Sequence, residues 1–230
     1  MADIFRKYCK DNLVGAFTEA WMTPTYKPMY KDNLTIVYNR FLKRSFDVVT
    51  ATILLLGIYS WLFPLVALLI KIDSRGPVFF IQERTGMNRK SFNCIKFRTM
   101  YIDREANIQR TAVGDNRITR VGFFLRKYFI DEVPQLINVL RGDMSMVGPR
   151  PYMLPEVERD AKLIAYYHDR HKVKPGLTGL AQIRGYHGHI KNDRDVLNRF
   201  SSDIEYIENW SLTGDLMIIF GTVIHIIKDA

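Results

Sequence analysis

At 230 residues the chain can hold one domain with a sizeable core plus an appendage. Its 33 Lys and Arg against 24 Asp and Glu give a net charge of +9, which suits anionic partners such as phosphorylated substrates, lipid head groups or nucleic acid. Two cysteines, Cys9 and Cys94, make no disulfide framework and fit a reducing compartment.

Residues 1–38 mix polar, aromatic and proline residues ("MTPTYKPMYKD") without a clear period and read as a surface appendage or a pairing element. Residues 39–72 read as a membrane element. From Val48 to Ile70, about 23 residues carry no charge, enough to cross a bilayer core. The run starts too late and is too long for a cleaved signal peptide. Pro64 lies inside it, where its ring meets the carbonyl of Ser60 and one helical hydrogen bond is lost. The Ser60 hydroxyl can serve a backbone group freed by that break. Two arms of about ten residues each are too short to span about 30 Å at 1.5 Å per residue. Basic residues flank both ends: Arg40, Lys43 and Arg44 before, Lys71 and Arg75 after. Cytoplasmic flanks are the ones enriched in Lys and Arg. The expectation is a re-entrant helix-break-helix with both ends cytoplasmic, and an ordinary kinked span is the alternative.

Residues 73–230 read as a mostly helical α+β domain with little sheet. "PVFFIQER" and "SFNCIKFRTM" are rich in β-formers and are joined by "TGMNRK", so a hairpin is expected. "DREANIQR" reads as a short polar helix. "RVGFFLRKYF" and "EVPQLINVLRG" are apolar at helical spacing. The second should end at Gly142 and, because Pro134 is tolerated only in a first turn, start near Asp131. "DMSMVGPRP" reads as loop, "MLPEVERDAKLIAYYHDRH" as amphipathic helix, and "HKVKPGLTGLAQIRGY" as loop with a short strand. Two helices close the chain. The last, nearly uncharged between Asp215 and Lys228, packs in the core or lies on the bilayer surface.

The richest line is "FIDEVPQLINVLRGDMSMVGPRP". Asp131 and Glu132 are adjacent carboxylates at an expected helix start, where the macrodipole and free N–H groups lower carboxylate pKa and favour a charged nucleophile or a metal ligand. Taken bare, such a pair is a solvated cap. The nearby Arg126, Lys127, Arg141 and Arg150 raise the alternative of metal-assisted phosphoryl transfer. "CIKFRTM" puts Lys96 and Arg98 on one strand face, and Lys172, Lys174 and Arg184 surround glycines whose N–H groups could approach a phosphate. A solvated basic surface is the plainer reading of each piece. His168, His171, His187 and His189 lack a cysteine partner and read as surface histidines rather than metal ligands. No nucleic-acid recognition motif occurs, and the apolar segment argues for lipid instead.

Together, "KRSFD", "GPVFFIQERTG", "KFRTM", "DEVPQLINVLRGDMSMVGPRP", "HKVKPGLTGLAQIRGY" and "ENWSLTGDL" run in one order from about Phe41 to the C-terminus. The sequence thereby resembles the monotopic phosphoglycosyl transferases of the bacterial sugar transferase family. The resemblance implies a re-entrant membrane helix, an Asp–Glu dyad, Mg²⁺, and a position on the cytoplasmic face of the bacterial inner membrane among its phospholipids. It implies transfer of a sugar 1-phosphate from a UDP-sugar to undecaprenyl phosphate through a covalent aspartyl intermediate, with release of UMP, and it leaves a homodimer open.

By position Asp131 takes the nucleophile's place and Glu132 that of its partner, both near the metal, and Arg126 falls on the arginine five residues before the nucleophile. Lys96, Arg150 and Arg184 fall in basic stretches that line the family's site. Three positions depart from the family. Ser60 is followed by Trp61, with the proline displaced to Pro64; Val133 replaces a leucine; and Leu180 stands where a tryptophan often occurs, which bears on the nucleotide pocket. The stretch before Phe41 lies outside the likeness and is too short for the further membrane helices and nucleotide-fold domain of longer members. Two rivals stand: a glycosyltransferase that moves the sugar without its phosphate, and a non-catalytic adaptor that collects anionic lipids.

Overall fold

A computed structural model describes residues 33–102, 115–186 and 192–229. The chain enters through a short turn at Asn33–Thr35 and then stays helical from Val37 to Asp73. This long element has three parts: α1 (Val37–Ile53), a π-helical stretch (Leu54–Tyr59) and α2 (Ser60–Asp73). The π stretch lies just before the proline. Widening the turn there accommodates Pro64 without ending the helix, as π-bulges do near proline kinks. Tyr59, at φ −91° and ψ −10°, carries the local distortion. A helix-break-helix at Ser60 and Pro64 was expected; the chain stays helical through both, and the irregular part is the π-helical stretch just before Ser60. Only 11 % of the element's most apolar 18 residues are buried, so this is no core helix. Ile53, Leu56, Trp61, Leu65, Leu68 and Ile72 face outward, and a length and polarity fit to cross a membrane mark the protein as membrane-associated.

The hairpin forms as its turn chemistry predicts. β1 (Phe79–Thr85) and β2 (Ser91–Phe97) pair antiparallel in the register Phe79–Phe97 to Thr85–Ser91. Its tip turns through Asn88 and Arg89, both with positive φ. Then come α3 (Arg120–Lys127), a 3₁₀ turn (Ile130–Glu132) and α4 (Gln135–Arg141). Thr119 caps α3 by accepting a hydrogen bond from the Gly122 N–H at 3.0 Å. Gly142, at φ 91°, ends α4 in the left-handed conformation that the sequence assigned to it.

"DMSMVGPRP" is not all loop: β3 (Ser145–Val147) pairs parallel with β4 (Gly176–Thr178), a contact no local pattern announces. A Cβ on Gly176 would collide with the Gly148 backbone, so this pairing requires glycine there. The amphipathic run from Met153 to His171 is likewise not one helix. α5 (Leu154–Ala161) stops, Tyr166 takes a φ of 61°, and a 3₁₀ segment (Tyr167–Lys172) follows. A short α6 (Leu180–Ile183) leads to α7 (Asp193–Glu208) and α8 (Leu212–Asp229). The polar helix expected at "DREANIQR" lies outside the described residues, as do residues 1–32.

One core joins Leu136, Val139, Met144, Val147, Val157, Phe200, Ile204, Ile207 and Ile218. A smaller cluster packs Val66 and Ile70 of α2 against Phe97 and Leu125. Leu180, which stands where a tryptophan often occurs, is buried in the main core. α8 was expected to pack in the core or to lie on a bilayer surface; its faces divide, with Ile218 buried while Leu216, Phe220, Val223 and Ile227 form one exposed apolar stripe.

Candidate active site

Asp131 and Glu132 sit in the 3₁₀ turn between α3 and α4, entered from Phe129 in the left-handed region at φ 55°. Both carboxylates are buried. Their surroundings separate them. Glu132 receives Lys96 Nζ at 2.6 Å on Oε1 and the Arg150 guanidinium as a fork, Nη2 to Oε1 at 2.6 Å and Nη1 to Oε2 at 3.1 Å. Asp131 makes no side-chain hydrogen bond or ion pair among the described residues.

The titration of the pair follows. Burial pushes the Asp131 carboxyl up to about 6, opposed by Lys96, raised further by Glu132, and opposed again by Arg126 and Arg150. Burial would also raise Glu132, but the charges and hydrogen bonds of Arg150 and Lys96 hold it well below the usual carboxylate range. The helix-start argument, which lowered both carboxylates, therefore fails for Asp131. Desolvation outweighs the short turn's dipole, and the cations that could offset it are spent on Glu132.

Asn138 aligns this site. In the middle of α4 it is 0 % exposed, its Oδ1 accepts from the Ile95 N–H at 3.0 Å, and its Nδ2 donates to the Asn93 carbonyl at 2.8 Å. The side chain thus continues the edge of β2 as a neighbouring strand would, and it fixes Lys96 opposite Glu132. A polar residue inside the apolar run "LINVL" was the one sequence signal for this role. Arg126 ends α3 beside Asp131, its Nε donating to Thr99 Oγ1 at 2.7 Å.

Lys96, Arg126 and Arg150 therefore gather around the dyad. Three other expected cations go elsewhere. Arg98, just past β2, donates to the Ser74 and Arg75 carbonyls at 2.7 and 2.6 Å and closes the end of α2. Lys174 lies against Gly142 and Arg44, at the far end of α4 from the dyad. Arg184 is forked onto Glu205 of α7 at 2.7 and 2.8 Å. Among the histidines, His168 and His171 lie in the 3₁₀ segment before β4, and His187 and His189 fall outside the described residues. No three His, Cys, Asp or Glu side chains converge on a metal position among the described residues.

The basic flank "KRSFD" proves to be a structural joint. Lys43 Nζ pairs with Asp47 at 3.1 Å and Asp215 at 2.9 Å, and Asp47 accepts from Ser145 Oγ and the Met146 N–H, both at 3.0 Å. Asp215 also accepts from Tyr206 and Trp210. Arg44 donates to the Val139 and Leu140 carbonyls at 2.6 and 2.8 Å, the last turn of α4.

The family described as "Bacterial sugar transferase" matches residues 38–229. The chain belongs to that family. A Komagataeibacter xylinus protein named undecaprenyl-phosphate glucose phosphotransferase is 42 % identical over 236 residues, 97 % of this chain and 43 % of its own length. Escherichia coli UDP-glucose:undecaprenyl-phosphate glucose-1-phosphate transferase is 45 % identical, covering 85 % of this chain and 42 % of its own. A Caulobacter vibrioides protein of the same name is 44 % identical over 79 % of this chain and 68 % of its own. The chain thus spans about two-fifths of the first two. The Komagataeibacter alignment takes in most of the stretch before Phe41, which the sequence motifs had left outside the likeness.

Proposed function

We propose that the protein transfers a sugar 1-phosphate from a UDP-sugar to undecaprenyl phosphate, with Asp131 as nucleophile. The asymmetry of the dyad carries this reading: one carboxylate is locked by two cations, and the other is buried, unpaired and able to ionise near neutral pH. A carboxylate oxygen of Asp131 attacks the β-phosphorus of the donor, and the bond from that phosphorus to the bridging oxygen breaks as UMP leaves. The acyl phosphate so formed carries the sugar. An oxygen of the lipid phosphate then attacks the same phosphorus and returns Asp131 to its carboxylate. Glu132 holds Lys96 and Arg150 beside the reacting phosphates, and Arg126 approaches from α3, so positive charge is in place where negative charge develops.

The donor set fits Mg²⁺ held by Asp131 together with the donor's own diphosphate, since Mg²⁺ accepts one carboxylate plus phosphate oxygens. Glu132, with both oxygens engaged, joins only by releasing Lys96 or Arg150. When bound, the ion neutralises diphosphate charge.

For the membrane element we favour re-entry with both ends on the cytoplasmic side. A straight helix from Lys43 to Asp73 would be roughly 45 Å long. Yet both its ends bond to the soluble body: Lys43 and Arg44 to Asp215 and α4, Asp73 to the Val121 N–H, and Ser74 to Arg98. This supports a bend at the π stretch.

The test needs no acceptor. With UDP-sugar and Mg²⁺ alone, the protein should gain one sugar-phosphate mass at Asp131 and release a matching burst of UMP. UMP release strictly dependent on the lipid, with no adduct after rapid quenching, would make the transfer direct. UDP as product would replace this reading with that of a glycosyltransferase.

A further inference from the structure

Against Arg150 lies a small pocket whose lining does not include Glu132 and which the transfer chemistry above does not use. The hairpin tip, the loop after β3 and the segment before β4 close around it, with Pro149, Arg150, Arg170, His171, Val173 and Pro175 in its lining. His171 is 5 % exposed, and neither of its ring nitrogens makes a hydrogen bond, although the His168 carbonyl faces the ring. A buried imidazole with two unused polar atoms is costly unless something arrives to use them.

The pocket's charge balance narrows what that can be. Arg150 is neutralised by Glu132. Arg170 is neutralised by Asp203, with Nη2 at 2.7 Å and Nε at 2.9 Å, and its remaining reach goes to the Arg150 carbonyl at 2.8 Å. Burial pushes the imidazole down to about 3, with Arg170 and His168 adding to the fall, so the ring is uncharged at neutral pH. With both lining cations neutralised and Arg89 of the hairpin tip standing outside the lining, the wall suits a phosphate poorly. It suits a neutral group that both donates and accepts, set against apolar carbon, and a sugar hydroxyl is such a group.

We infer that this pocket receives a hydroxyl of the donor's sugar, with His171 as the residue that reads it. The inference rests on the donor being a UDP-sugar. Arg150 then serves both parts: its guanidinium fork holds Glu132, and the same residue lines the sugar pocket. The size of the pocket admits one small substituent and no heterocyclic base, so the uracil lies elsewhere.

The experiment compares wild-type protein with His171→Ala and His171→Asn, each first checked for an unchanged melting temperature in detergent. Donor binding to the full-length protein is measured calorimetrically, with UMP release in parallel, for UDP-glucose and analogues with single hydroxyls replaced by hydrogen. Wild type should lose roughly tenfold in affinity and kcat/KM for one analogue only. His171→Ala should show that loss already with UDP-glucose and no longer distinguish that analogue, and His171→Asn should recover part of the discrimination. Equal discrimination by wild type and His171→Ala, or an equal loss towards every analogue and UMP itself, overturns the pocket assignment. Binding with hydroxyl discrimination but no UMP release would overturn the proposed transfer and leave the pocket standing. A wild-type protein that binds no UDP-sugar refutes both.

Discussion

Lys43 at the base of the membrane helix and Asp215 in the first turn of the last helix meet at 2.9 Å, with Asp215 wholly buried. A second buried carboxylate, Asp47, shares the same ammonium at 3.1 Å. Replacing Lys43 by Met strands two buried carboxylates, a loss of about 3–5 kcal/mol for a broken buried pair. For a protein of this size that lowers the melting temperature by roughly 10 °C. A thermal melt in detergent within a degree or two of wild type would show that water reaches this joint.

The two members of the dyad should respond oppositely to neutralisation. Asp131 has a folded-state pKa of about 6, above its ordinary 3.8. Its contribution to stability is therefore full below about pH 4 and lost as pH rises through 6. At pH 7.5, Asp131→Asn should stabilise the fold by on the order of 2 kcal/mol while lowering the rate by several orders of magnitude. Glu132 is depressed, so its contribution is present above the ordinary carboxylate range and is lost only in acid. Glu132→Gln should destabilise the protein and impair it. Paired melts and UMP assays check both signs, and destabilisation by Asp131→Asn would contradict them.

The pH profile of the first step reports the same carboxyl. The acceptor-free UMP burst avoids titration of the lipid phosphate. Its rate should climb through about pH 6 and level off above 7, with the slope of one deprotonation. A flat profile from pH 5 to 8 would assign the nucleophile to another group.

Arg126 and Arg98 should separate by readout. Arg126 reaches the site from α3, whereas Arg98 closes the end of α2. Arg126→Met should slow the burst about 100-fold with little change in the melt. Arg98→Met should lower the melting temperature, and the burst rate per folded molecule should stay near that of wild type. The reverse pattern would return Arg98 to the substrate.

Topology has a direct test. Single cysteines at the exposed positions Arg40 and Arg75, with Cys9 and Cys94 replaced, should both resist a membrane-impermeant thiol reagent in intact cells. Labelling of one position alone establishes a span. Pro64→Leu, which restores the missing hydrogen bond, should shift some molecules towards that span.

The legible parts of this fold were the local ones. "TGMNRK" announced its turn and Gly142 its helix end, and the start of a helical segment was legible near Asp131 and Glu132. What sequence could not supply was the closure between distant segments. The strand in "DMSMVGPRP" exists because "GLT" lies beside it. Arg98 differs from Lys96 only because the end of α2 is within its reach. The dyad's two pKa values part because Lys96 and Arg150 converge on one carboxylate, which adjacency along the chain does not reveal.

α4 is a strut of seven residues, roughly 10 Å long, gripped by Arg44 at its last carbonyls and leading into the dyad at its first turn. Its length therefore sets the distance between the Arg44 anchor at the base of the apolar helix and Asp131. An inserted turn in α4 would move Asp131 by roughly 5 Å from that anchor and, under the proposed transfer, part it from a membrane-bound acceptor phosphate.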